Sequence, residues 1–183
     1  IKQAQYMASL LDDILTTAQI ESGHMALLSV PVSLPVLLAD LIDEAQARTQ
    51  REITLTDHLS QAPQGPRIVA DALRLREAFL NLIENALKYS PANTPVHITV
   101  QPAAEMGWVE CIVADQGIGI SESDLSNLFR RFGRIRNART RGIRGSGLGL
   151  YIVHYIIQKL GGRIRLESKP NLGTRVIVEL PGK

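Results

Sequence analysis

Between residues 71 and 89, in DALRLREAFLNLIENALKY, the apolar side chains of Leu75, Phe79, Leu82, Ile83 and Ala86 recur at three- and four-residue spacing. That period places them on one face of an α-helix and brings Arg74, Asn81, Asn85 and Lys88 onto another side. Ser90-Pro91 stops the helix, because a proline drives the residue before it toward extended backbone. Such a helix must bury its apolar face against a second layer. The flanking sequence supplies one. VHITVQP (96–102) and GWVECIVAD (107–115) read as two strands in a hairpin arrangement, and ITLTDHL (53–59) as a short alternating strand before the loop QAPQGP. RIRLES and TRVIVELP, joined by the turn KPNLG, read as a terminal hairpin. Helical spacing covers residues 34–51, a short helix is expected over 123–132, and an apolar helix over 148–160 ends at Gly161-Gly162. The mixture predicts an α+β fold with one sheet covered on one face by helices.

Residues 1–24 carry a different pattern. Ala4, Met7, Ala8, Leu11, Ile14, Leu15 and Ala18 form a heptad-like stripe, with Lys2, Gln5, Asp12, Asp13 and Thr16 largely outside it. This is the pattern of one helix of a bundle or coiled coil. Gly23 stands at a helix C-cap position, His24 beside it suits the negative end of the helix dipole, and LLSVPVSLPV turns the chain with two prolines. A boundary near residue 27 is expected, dividing residues 1–27 from a domain over 28–183. The chain begins without Met or a signal-peptide pattern, which suggests a piece of a longer protein.

Charge and cysteine usage narrow the function classes. A formal net charge of +2 supplies no global field for nucleic acid, although Arg130, Arg131, Arg134, Arg136, Arg139, Arg141 and Arg144 crowd one stretch. That stretch lacks the interleaved aromatics of a single-strand binder. The single cysteine, Cys111, excludes a disulfide framework and a multi-cysteine zinc site and fits a reducing, cytoplasmic compartment. No apolar run reaches the roughly 20 residues of a membrane helix.

Three segments carry chemistry. In NLIENALKYS, a neutral amide oxygen at Asn85 suits Mg²⁺ and an ammonium at Lys88, three residues on, suits phosphate; a solvated helix face reads the same way. In VADQGIGIS, Asp115 at a strand end can accept from an exocyclic amine, and Gly117 and Gly119 let the backbone approach a flat ring; a plain turn is the alternative. In GSGLGLYIV, Gly145, Gly147 and Gly149 lead into a helix whose free N–H groups suit phosphate. This is neither a Walker loop nor a dinucleotide fingerprint.

The order NLIENALKY, DQGIG, LFRRFGRI, GSGLGLYIV and NLGT resembles the N, G1, F, G2 and G3 boxes of the sensor histidine kinase ATP-binding domain, over roughly residues 71–181. The resemblance implies a two-layer α/β sandwich of the Bergerat type, its mixed, mostly antiparallel sheet covered on one face by helices. It implies that Asn85 ligates Mg²⁺, that Lys88 and Tyr89 contact phosphates, and that Asp115 recognises the adenine amino group. Gly117 and Gly119 with Ile120 would flank the adenine, Gly145, Gly147 and Gly149 with Leu148 and Leu150 the triphosphate, and Thr174 would support Asp115. LLDDILTTAQIESG resembles the second helix of the dimerisation and phosphotransfer domain. ATP-hydrolysing relatives carry Glu where this chain has Asn81, and an amide cannot serve as a base for water. The implied activity is therefore transfer of the γ-phosphoryl group of Mg-ATP to a histidine, by positioning and charge neutralisation.

None of His24, His58, His97 and His154 has the acidic neighbour that follows the family's acceptor, so the acceptor is expected outside this chain, and His154 is expected to be structural. Implied partners are a response-regulator receiver domain and a second copy paired through the dimerisation domain, with no nucleic acid and no membrane contact. Glu84, about a hundred degrees around the helix from Asn85, is expected at the surface or behind the site. Arg131 and Arg134 are the first choices for the γ-phosphate, and the arginine-rich segment 133–146 is expected to be mobile without ligand. A non-catalytic ATP sensor and a superfamily ATPase are the competing readings.

Overall fold

The computed structural model describes residues 2–23, 25–60, 67–125, 127–135, 140–143 and 145–182, with side chains other than those of 2–6 and 9. In chain order the elements are α1 (Lys2–Glu21), β1 (Val30–Val32), α2 (Leu34–Thr49), β2 (Ile53–Asp57), β3 (Ile68–Ala70) and α3 (Ala72–Tyr89). There follow β4 (Val96–Pro102), β5 (Trp108–Asp115), α4 (Glu122–Leu125), α5 (Gly149–Lys159), β6 (Arg163–Lys169) and β7 (Gly173–Pro181).

The main sheet has five strands in the order β2-β4-β5-β7-β6. Only β2 and β4 run parallel; the other neighbours are antiparallel. Period-two alternation turns Val96, Ile98 and Val100 of β4 and Val109, Cys111 and Val113 of β5 to one buried face. Helices α2, α3 and α5 cover that face, contributing Leu38 and Leu41, Leu75, Phe79 and Ile83, and Ile152 and Ile156. Phe79 is fully buried at the centre, and truncating such a side chain to Ala typically costs about 3–5 kcal/mol. The expected sandwich is thus present, with Cys111 buried in it and its thiol pKa pushed up by burial.

Three features differ from the sequence reading. A second, two-stranded sheet pairs β1 with β3 in antiparallel register, Val30 opposite Ala70; β3 is too short to show a period. The helix expected over 123–132 is confined to Glu122–Leu125. Beyond it the backbone closes i to i+3 turns, Arg130 N–H to Asn127 O at 3.2 Å and Gly133 N–H to Arg130 O at 2.9 Å, and Phe132 sits at φ 57°. Finally, the apolar stripe of α1 is exposed at Met7, Leu11, Ile14 and Leu15, while Thr16, Thr17 and Ile20 are buried. The face that docks on the domain is the mixed one, and it packs beside α5.

Two expectations, on His24 and on the QAPQGP loop at 61–66, fall outside the described residues, as do Arg136, Arg139 and Arg144 of the arginine-rich segment. Among the described residues, no helix is long and apolar enough to cross a membrane.

Candidate active site

Helix α3 is set in place at both ends. At its start Asp71 is the N-cap: one carboxylate oxygen accepts the Arg74 N–H at 3.0 Å, and the other accepts the Leu28 N–H at 2.8 Å. Burial opposes the charge on Asp71, but the N–H groups of Leu28, Arg74 and Leu73 outweigh it and hold the carboxyl below its ordinary value of 3.8. At its end, Asn81, Asn85, Lys88 and Tyr89 line a cleft of about 290 Å³. The stripe read from helical spacing is thus one wall of a cavity.

The opposite wall comes from the sheet. Asp115, the last residue of β5, lies opposite Thr174 of β7. Its carboxylate accepts the Gly117 N–H at 2.7 Å and is also bonded by the Thr174 N–H. Burial raises its pKa above 3.8, against those two N–H groups and the charge of Arg51. The loop after Asp115 is fixed by close packing. A Cβ at Gly117 would lie 2.3 Å from Tyr89 O, and one at Gly119, at φ +64°, would lie 1.9 Å from Lys169 O. These glycines therefore serve contact of the loop with α3 and with the β6–β7 hairpin. Ser168 completes the tie: its hydroxyl accepts the Ile120 N–H at 2.9 Å, donates to Gly173 O at 2.8 Å and lies 2.9 Å from the Thr174 hydroxyl. Nothing in the strand pattern around Ser168 marks that role; only its register opposite Thr174 does.

The loop from Gly145 to Gly149 closes the far end. Lys88 Nζ lies where a Cβ on Gly145 would be only 2.4 Å away, and Asn81 Oδ1 would be 2.8 Å from one on Gly149. The Asn81 amide donates to Glu77 O at 3.1 Å. Leu148 is buried and Leu150 lines the cleft, as do Gly119, Ile120, Gly145, Gly147 and Thr174. Gly117 and Arg131 do not line it. Arg131 forms an ion pair with Glu21 of α1, whereas Arg134 enters the lining and donates to Gly145 O at 2.8 Å and Ile143 O at 2.6 Å. Glu84 reaches the cleft wall while half exposed, paired with Arg48 at 3.4 Å. His154 stacks on Phe129 with ring centroids 4.9 Å apart, and burial lowers its pKa, so it anchors the F-box segment to α5 as a neutral ring.

Electrostatically the far end is mixed: Lys88 and Arg134 line it together with the carboxylates of Glu84 and Asp13. Partial burial lowers the pKa of Lys88, with the charge of Arg134 next in effect, an arrangement that an anion would relieve. Asp13 comes from α1: it lines the same end and accepts the Ser146 hydroxyl at 2.6 Å. Burial, with the nearby Glu77 and Asp12, raises its pKa above 3.8. Its helical position, outside the apolar stripe, gave no sign of this contact.

One cleft is thus lined by an acid at a strand end, an amide and an ammonium one turn apart, and a glycine loop opening a helix. Residues 70–183 match the family model described as "Histidine kinase-, DNA gyrase B-, and HSP90-like ATPase". The chain belongs to this family. Its relatives narrow the branch. It is 30% identical over 186 residues to the sensor-like histidine kinase SenX3 of Mycolicibacterium smegmatis, covering 99% of this chain and 46% of that protein. It is 32% identical over 178 residues to the circadian input-output histidine kinase CikA of Synechococcus elongatus, covering 97% and 23%. The chain thus spans less than half the length of these relatives. Among solved structures, full-length ShkA in complex with AMPPNP matches with a TM-score of 0.82 at 27% identity, over 99% of this chain and 37% of that one. The mycobacterial sensor histidine kinase MprB matches at 0.72 and 27%, over 85% and 99%. The chain carries the ATP-binding catalytic domain of a histidine kinase.

Proposed function

We propose that this domain binds Mg-ATP with the adenine against Asp115 and the phosphates against Lys88, and delivers the γ-phosphoryl group to a histidine outside this chain. The observation that carries the reading is the make-up of the cleft: a carboxylate held by N–H donors at one end, and at the other Lys88 and Arg134 beside the Gly145–Gly149 loop, with Asp13 and Glu84 offsetting part of their charge. The Asp115 carboxylate, already oriented by two N–H donors, keeps lone pairs for the adenine amine. Asn85 makes no side-chain hydrogen bond among the described residues, so its neutral oxygen is free for a cation. Among the described residues there is no cluster of three acidic, His or Cys side chains, which fits a Mg²⁺ held by one protein oxygen together with nucleotide phosphates. Bound there, the ion would neutralise charge on the β- and γ-phosphates.

An imidazole nitrogen attacks the γ-phosphorus as the bond to the β-γ bridging oxygen breaks, forming N–P and releasing ADP. Lys88 and Arg134 stabilise the charge that moves to the bridging oxygen. Asn81 stands where a hydrolase would need a base, and its amide is engaged with Glu77 O, so water is not activated. The stretch up to residue 27 is read as the end of the dimerisation domain, the phosphohistidine as the donor to a response-regulator aspartate, and the second copy as the occupant of the exposed α1 stripe. The chain mixed with a separate acceptor domain and labelled ATP tests this. Acid-labile label should appear on the acceptor and not on the chain; release of free phosphate with no labelled protein would establish an ATPase instead.

A further inference from the structure

We infer that Arg51, which does not line the cleft, positions its adenine end by fastening the last turn of α3 to the sheet edge and setting a positive charge behind Asp115. The inference rests on the adenine reading of Asp115. A helix end leaves its last carbonyls without intrahelical donors, and a C-terminal glycine usually folds back to satisfy them. Helix α3 has no such glycine. Ser90 is extended, at φ −110° and ψ 152°, and Pro91 follows without an N–H. The Ser90 hydroxyl donates to Ala86 O at 2.6 Å, and the Ile118 N–H donates to Tyr89 O at 3.2 Å.

Arg51 supplies the rest. One terminal nitrogen donates to Leu87 O and, at 3.3 Å, to Ser90 O. The other donates to the Ser90 hydroxyl at 2.9 Å and to Pro91 O and Thr94 O at 2.7 Å each. Only Nε, buried, is left without a partner among the described residues. The side chain is aimed there because Gln50, left-handed at φ 55°, ends α2 and turns the backbone into β2, which is locked to β4 from Ile53 opposite Val96. A planar fork with several donors can hold such a set of carbonyls; an ammonium cannot span it.

The clamped turn contains Lys88 and Tyr89, and Tyr89 O is the atom on which the loop after Asp115 rests, through Ile118 and Gly117. Arg51, bonded to Leu87 O and Ser90 O on either side, therefore holds the turn whose Tyr89 carbonyl carries the Asp115 loop. It also acts through space. Besides the Gly117 and Thr174 N–H groups, the charge that favours ionised Asp115 is that of Arg51, opposing burial. An ionised acceptor makes the stronger bond to the adenine amine.

The test is ADP binding by calorimetry from about pH 4 to 8.5, a span that opens at the ordinary Asp value and runs in the direction of the shift, for the wild-type chain and Arg51→Met, Arg51→Lys and Asp115→Asn. Arg51→Met should weaken ADP about tenfold, one lost charge-assisted contact, and should move the acid loss of affinity to higher pH than in the wild type. Arg51→Lys should keep the wild-type pH midpoint while remaining severalfold weaker, since it restores charge and not the fork; it also carries the test if Arg51→Met does not fold. Wild-type affinity and midpoint in both Arg51 variants would overturn the inference. So would a reduced binding stoichiometry with unchanged affinity and midpoint, which marks a folding defect alone. Wild-type affinity and pH profile in Asp115→Asn would instead sink the adenine reading itself.

Discussion

The two ends of the cleft are built of different material. At the Asp115 end, strands β5 and β7, the Ser168 hydroxyl and the Arg51 clamp leave almost every polar group bonded to protein. At the Lys88 end, α3 faces a loop, the side chains of Asn85 and Lys88 have no hydrogen bond among the described residues, and a helix from the preceding segment contributes an acid, Asp13. The first end is organised before any ligand arrives, so recognition there costs little ordering. The second is completed by its ligand, and it is where the attached helix makes contact. On the proposed reading, the base meets the first end, and the phosphates and the attached helix meet at the second.

The comparison breaks first at Asn85. Asn85→Ala should reduce phosphotransfer to an acceptor domain by roughly a hundredfold, the scale of a misplaced reacting group, while leaving metal-free ADP binding near wild type. Equal losses in both assays would place Asn85 in the fold rather than at the ion. Next in size is Asp71→Ala, which removes the α3 cap and strands the Leu28 N–H, at a cost of about 1–2 kcal/mol in urea unfolding. Because the folded pKa of Asp71 is depressed, its contribution is present above the ordinary value of 3.8 and is lost as pH falls through the lower folded value. The variant and the wild type should therefore converge only in strong acid; a gap that does not narrow there would refute the assignment of the charge.

Asp13→Asn acts at the loop-built end and should have a smaller effect of opposite sign. Removing a partly solvated negative charge beside the phosphates should strengthen ATP up to about fivefold, less at high salt, without changing adenosine. Weaker ATP would mean that the Asp13–Ser146 bond organises the loop for binding. Smallest is Gln50→Gly, which relieves a left-handed residue and should raise stability by about 0.5 kcal/mol with ADP affinity unchanged.

How far the sequence could be read follows the same division. The α3 stripe was legible because a period of 3.6 residues fixes which side chains share a face, and alternation fixed β4 and β5 in the same way. The glycine of Asp-Gln-Gly could be found, but its reason could not, since the carbonyl it approaches belongs to Tyr89, far along the chain. Arg51 and Ser168 were invisible for a related cause: their partners are backbone atoms brought near by topology. The α1 stripe was read correctly as apolar, yet the docked face is that of Asp13, Thr16 and Ile20, and the partners of its two polar members, Ser146 and Glu77, are remote in sequence. The short helix was overextended because LFRRFGR keeps helical residues in a segment that closes three-residue turns instead, with Phe129 held by His154.

The central claim is that Asp115 reads the base. The most direct measurement is the ratio of ATP to GTP affinity, by calorimetry with Mg²⁺, in the wild-type chain and in Asp115→Asn. The wild type should prefer ATP, whose amino group meets a carboxylate. The amide can turn its own NH₂ toward the guanine carbonyl, so the variant should lose roughly 1.5–3 kcal/mol of ATP binding and most of its discrimination. A variant that still folds, binds ATP more weakly and keeps the full wild-type preference would contradict the claim.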